Sequence, residues 1–189
     1  MSKRLKRVAN VVIDKVIMVS LASLIVVTVI NTYLHLFSEE AMNRRVEELY
    51  ADIWRQTGQS QERLPLYIVD SDEINAYNDG TKIIIYTGLI KSTNSWDELA
   101  LVIGHEIAHG NLWHLRMLRE DDMIKSDVEV SVMEANADKM GAVYMMKAGY
   151  DVCKGREIFK AWLDDSGDYL GGTHPGYAYR YSQLNINCE

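Results

Sequence analysis

The chain has 189 residues, 48% of them apolar, and a formal charge of −7. That length allows one domain with an appendage, and the apolar share allows a sizeable core. The acidic balance, with no basic stripe beyond the first residues, argues against nucleic acid as a partner.

The N-terminus reads as a membrane signal. Lys3, Arg4, Lys6, Arg7 and Lys15 precede a run from Val16 to Phe37 that contains no acid, lysine or arginine. Its 22 residues suffice for a spanning helix, which needs about 20. Asn31, Thr32, Tyr33 and His35 suit its far end to an interface. A cleaved signal peptide would have a shorter apolar core and then a small-x-small site, and Ser20-Leu21-Ala22 comes too early for that. A buried core helix is the third reading, and the basic cluster argues against it. The expected organisation is a basic tip and uncleaved anchor over 1–37, held by the lipid bilayer through residues 16–37, and one folded domain over 38–189. The positive-inside rule leaves the N-terminus in the cytoplasm and the domain outside it, in the periplasm if the host is bacterial. Secretion after cleavage is the less favoured alternative.

Residues 38–56 read as a helix with Val46, Leu49, Tyr50 and Ile53 on one face. Leu66–Val69 and Lys82–Tyr86 read as strands, with "NDG" at 78–80 as a turn, which together predict a small antiparallel sheet. Lys82–Tyr86 is either an edge strand able to pair with a substrate backbone or an interior strand. Ser95 and Glu98 form a capping box before a helix that reaches at least His114. Further helices are expected over about 127–147, stopped by Ala148-Gly149, and over about 154–163. Pro175 suits the first turn of a last one, with Tyr177, Tyr181 and Leu184 at helical spacing. The order helix, strands, helices makes the fold α+β and helix-rich. Cys153 and Cys188 form no CxxC pair. They are two unpaired thiols or a disulfide tying the tail to the body, which needs an oxidising compartment.

The stretch "LALVIGHEIAHGNLWH" sets His105, Glu106 and His109 into an apolar run. On a helix, residues four apart lie about 40° apart and one turn up, so both imidazoles reach one ion. Glu106 falls about 60° from His109, too far round to ligate and close enough to touch a water on the metal. His114 points away, about 140° from His109, and reads as a packing or surface histidine. Catalytic zinc takes three protein ligands and keeps one position open. Leu112 and Leu115 stand where a metzincin needs Gly and His. The other main option for the third ligand is a glutamate on a second helix, and "MEANADKMG" offers Glu134, with Asp138 one turn on to accept a ligand histidine's free N–H. The bland reading is a solvated acidic face. Ala135, Ala137 and Gly141 instead permit close helix packing beside these acids.

With "INAYNDGTKIIIYTGLI", "DELALVIGHEIAHGNLWH", "EANAD" followed by "KAGYD", and "GGTHPGYAYR" in order, the chain resembles the membrane-associated gluzincin metallopeptidases, which include HtpX-like bacterial proteases and the CAAX prenyl protease. The resemblance covers about residues 70–184. It implies a compact gluzincin domain, one Zn2+ per chain, and hydrolysis of peptide bonds in proteins. The last piece matches the family's H-P-x-x-x-x-R at His174, Pro175 and Arg180. Those relatives have several membrane spans, whereas one is visible here, so a prenyl substrate is not expected.

The expected chemistry has zinc on His105, His109 and Glu134, with Glu106 as general base. His174 is the first candidate for the oxyanion donor, or for a cap on the open zinc position. Arg180 either holds His174 or binds substrate. The bland alternatives for these two are loop capping and a surface ion pair. Two other function classes compete: a catalytically silent, chaperone-like module that keeps the peptidase fold, and a structural zinc protein. The retained Glu106 argues against the first, and the open fourth position against the second.

Overall fold

The computed structural model describes residues 3–60, 62–112, 127–167, 175–185 and 188. They group into two compact units, Met1–Arg45 and Val46–Glu189, with the division inside one unbroken helix, α1 (Lys3–Arg55).

In the first unit, α1 carries a stretch long and apolar enough to cross a membrane by length and composition, none of it buried. Met18, Val19, Leu24 and Ile25 are all exposed, an arrangement water penalises over such an area. Ser23, Thr28 and Thr32 each turn their hydroxyl back onto the carbonyl four residues earlier, at 2.9 Å. That satisfies the hydroxyls within the helix, as an apolar medium requires.

In the second unit, Val46, Leu49, Tyr50 and Ile53 from the end of α1 are fully buried, the face that helical spacing predicts. The Tyr50 hydroxyl donates to the Leu64 carbonyl at 2.8 Å. Three strands follow: β1 (Leu66–Val69), β2 (Ala76–Asn78) and β3 (Ile83–Tyr86), in the order β1-β3-β2. The sheet is mixed, which corrects the antiparallel expectation. β1 runs parallel to β3, Leu66 opposite Ile83, whereas β2 and β3 are antiparallel, Tyr77 opposite Ile84. The turn at 78–80 exists, but it joins β2 to β3. Gly80 takes φ +86°, and the Asp79 carboxylate accepts from the Thr81 and Lys82 amides. β2 escapes a propensity reading because three residues including Ala and Asn are poor strand signals. β3 is therefore the central strand, and among the described residues β1 and β2 are the edge strands.

The helices after the sheet are α2 (Thr87–Ser92), α3 (Trp96–Asn111), α4 (Asp127–Lys147), α5 (Val152–Gly155), α6 (Glu157–Ser166) and α7 (Tyr177–Gln183). Ser95 Oγ accepts the Glu98 amide, and the Glu98 carboxylate accepts the Asn94 amide, so the box closes one residue further back than its simplest form. α3 ends at Asn111, short of the expected His114, which lies outside the described residues. α4 has the expected span, and Gly149 at φ +92° follows its end. The single helix expected over 154–163 is two, α5 and α6, meeting at Arg156, because the Asp151 carboxylate caps an earlier start at the Cys153 and Lys154 amides. Pro175 lies ahead of the first turn of α7, whose N-cap is Gly176. Cys153 and Cys188 are joined as a disulfide, so the unpaired-thiol reading falls.

Candidate metal centre

α3 is buried along nearly its whole length, from Glu98 to Ala108 with the exception of Val102. A helix apolar on all sides is a core helix, and α3 packs chiefly on α4. The crossing is at two glycines: a Cβ built on Gly104 would lie 2.7 Å from the Gly141 carbonyl oxygen. Backbone contact at that point brings the next residue, His105, within reach of the carboxylates one and two turns earlier on α4.

Three donor residues converge there. His105 Nε2 and His109 Nε2 are 2.9 Å apart, and they lie 3.2 Å from different oxygens of Glu134, His105 from Oε2 and His109 from Oε1. Ligands bound at zinc's usual bond lengths in a tetrahedron are separated by about 3.3 Å. His105 Nδ1 donates to Asp138 Oδ1 at 2.8 Å, which leaves the lone pair of neutral His105 on Nε2. At these distances the lone pairs and the carboxylate oxygens are held together by a shared proton or by a cation between them. His105, His109 and Glu134 are thus able to hold a metal ion.

The layer behind the donors is charged and closed. Arg180, from α7, donates through Nε to Asp138 Oδ2 at 2.8 Å and through Nη2 to Oδ1 at 2.6 Å, a bidentate pair. Asp138 is 1% exposed and Arg180 6%. The guanidinium also stacks on Phe159 of α6, 4.2 Å from the ring centroid. Burial pushes the Asp138 carboxyl up, but the Arg180 charge and the bonds from Arg180 and His105 outweigh it and hold it at about 2. Burial pulls the His105 imidazole down, but bonds to Asp138 and Glu134 prevail and raise it to about 9. A metal competes with that proton for the same lone pair.

Four of the residues singled out in the sequence therefore meet in one place: His105, His109, Glu134 and Asp138. Glu106 is buried on the turn between the two histidines. Arg180 joins them from behind, as a buried partner of Asp138 rather than the surface ion pair considered above. His174 lies outside the described residues. One residue that helical spacing does not reveal is Asn78, at the end of β2. Its amide donates to the Glu106 carbonyl at 2.8 Å and ties the sheet edge to the turn that carries His105 and His109.

A model of peptidase family M48 matches residues 40–126, which include α3 and both histidines. The mitochondrial metalloendopeptidase OMA1 of Arabidopsis thaliana is 29% identical over 154 residues, which cover 65% of this chain and 32% of that protein. The mitochondrial metalloendopeptidase OMA1 of Bos taurus is 38% identical over 50 residues, 26% of this chain and 10% of that protein. The chain thus spans no more than 32% of the length of these curated relatives. Over residues 40–126 the chain is thus similar to peptidase family M48, and over part of its length to two mitochondrial metalloendopeptidases, and the matched segment holds two of the three residues able to hold a metal.

Proposed function

We propose that the chain is a membrane-anchored zinc metalloendopeptidase that hydrolyses peptide bonds in protein substrates. The observation that carries this reading is the convergence of His105, His109 and Glu134, with a base-bearing Glu106 between the histidines. Two imidazoles and one carboxylate are the donor set of a catalytic rather than a structural zinc, which leaves one position open.

Zinc, when bound, supplies a Lewis acid that acidifies water and polarises the scissile carbonyl. Glu106 takes the proton from the attacking water and delivers it to the leaving amine. Asp138 holds His105 in the tautomer that presents Nε2, and Arg180 holds Asp138 ionised and aimed. Arg180 is on this reading a positioning residue, not a group that touches substrate. His174 supplies the second donor to the oxyanion.

Substrate is laid as an extended strand along the edge strand β2. The edge role considered for Lys82–Tyr86 passes to β2 because β3 is central and β2 is bonded to the metal-binding helix through Asn78. The anchor is the apolar stretch of α1, with the peptidase domain on the side away from the basic N-terminus. The disulfide supports that side, since such bonds persist in oxidising compartments.

The deciding experiment measures zinc content and cleavage of an unfolded protein by the full chain, wild type against Glu106→Gln. About one zinc in both, with cleavage in the wild type alone, supports the peptidase. Zinc without cleavage in either leaves a structural or silent module. Reporter fusions after residue 60 test sidedness, and a cytoplasmic signal overturns the proposed topology.

A further inference from the structure

The outward face of the sheet is aromatic where a solvated face is usually polar. Register puts Tyr67 and Val69 of β1, Ile84 and Tyr86 of β3, and Tyr77 of β2 on that one side. Tyr67 and Tyr77 are exposed. The Tyr77 and Tyr86 rings lie 6.3 Å apart. At their end of the sheet, the exposed Glu73 carboxylate accepts from the Asn75 side chain at 3.1 Å, at the entrance to β2. The Tyr86 phenol is raised by partial burial, then by its bond with Tyr77, and also by the Glu73 charge.

The backbone of β2 points the same way. Tyr86 donates its amide to Asn75, and Asp79 donates its amide to Lys82. Alternation in an antiparallel pair then turns Asn75, Tyr77 and Asp79 toward β3, and the amide groups of Ala76 and Asn78 outward. A strand added antiparallel along this edge bonds to Ala76 and Asn78. Its residue opposite Tyr77 falls in a non-hydrogen-bonded position, where facing side chains approach most closely, about 4.5 Å between Cα atoms. That side chain lies on the Tyr77–Tyr86 face, one residue from Asn78 and hence from the turn that carries His105 and His109.

We propose that Tyr77, Tyr86 and Glu73 form a recognition site for one basic side chain, lysine or arginine, of a protein substrate bound along β2. The proposal rests on the endopeptidase reading above and adds its substrate class. Charge complementarity selects the occupant: residues 66–86 hold four acids, Asp70, Asp72, Glu73 and Asp79, against one base, Lys82. The same face already accommodates a cation, since Lys82 Nζ stands 5.9 Å from the Tyr67 ring centroid and 3.8 Å from Asp79. Aromatic faces attract cations, arginine more often than lysine, and the Glu73 carboxylate completes the site.

The test uses the zinc-loaded full chain in detergent and internally quenched peptides in which each position in turn is arginine, lysine, citrulline or norleucine. At one position, kcat/KM is expected to be about tenfold higher for arginine than for its neutral isostere citrulline. Glu73→Gln and Tyr77→Leu are each expected to cut that ratio to about threefold or less, with melting temperatures showing that both variants fold. Binding of the same peptides to the Glu106→Gln chain is followed by fluorescence anisotropy. Cleavage with no basic preference, or a preference that survives both variants, overturns the recognition site and leaves the peptidase standing. No cleavage, but an arginine-over-citrulline binding preference that Glu73→Gln removes, overturns the peptidase and leaves the recognition site. Absence of both cleavage and selective binding overturns both.

Discussion

Gly104 and Gly141 touch backbone to backbone, and a Cβ on Gly141 would lie 2.6 Å from the amide nitrogen of His105, the residue that begins the metal cluster. The partner of each glycine is main chain, so no side chain can swing aside. Gly141→Ala is expected to force α3 and α4 apart, cost about 1–3 kcal/mol, and weaken zinc binding because Glu134 and His105 sit on opposite helices. Gly149→Ala is the comparison: its strain is local, at φ +92° with nothing near a Cβ. It is expected to cost about 1 kcal/mol with zinc affinity unchanged. Equal zinc affinity in both variants, by competition with a chromogenic chelator, would remove the crossing from the account of the site.

Glu106→Gln keeps the size of the side chain and every ligand of the cluster. Turnover is expected to fall by roughly 10²–10⁴, with zinc content and melting temperature close to wild type. His174→Ala is expected to retain zinc and lose turnover as well. A rise in activity instead would assign His174 to capping the open zinc position.

Arg180→Met leaves Asp138 buried and without its cation, a change that costs about 3–5 kcal/mol. In the wild type the Asp138 carboxyl is held at about 2, below its usual 3.8. Its contribution to stability is therefore present above about pH 4 and drains away as pH falls through about 2. In the variant, burial acts unopposed by the guanidinium and raises that pKa, so the penalty is greatest near neutrality. The gap in melting temperature between wild type and variant is expected to be widest near pH 7 and to narrow toward pH 3. A gap independent of pH would show that the loss is one of packing on Phe159. Asp138→Asn, which removes the charge instead, is expected to weaken zinc binding about 10- to 100-fold.

The Cys153–Cys188 bridge closes a loop of 35 residues that contains α6 and α7. Loop closure of that length stabilises by about 3–4 kcal/mol. Reduction of the full chain is expected to lower the melting temperature of the second unit by about 10 °C. Differential scanning calorimetry with and without a phosphine reductant reads this directly, and an unchanged transition would show that the tail bond bears little on stability.

Local periodicity was enough to expose what lies within one helix. His105, Glu106 and His109 are legible because three and four residues make one turn, and Glu134 with Asp138 for the same reason. So are the buried face of Val46, Leu49, Tyr50 and Ile53, the Ser95 cap and the uncharged run of α1, each a property of contiguous residues. Tertiary structure decided whatever depends on residues far apart in the chain. β1 pairs parallel to β3 because the 78–80 turn belongs to a three-residue strand too short and too poor in branched side chains to announce itself. The bridge between Cys153 and Cys188 depends on two chain segments meeting, which spacing does not state. Arg180 shows the limit most clearly. Its sequence marks an arginine on a helix face, but its buried fork on Asp138 arises only when α7 packs behind α4, where low dielectric makes an unpaired charge too costly to leave alone.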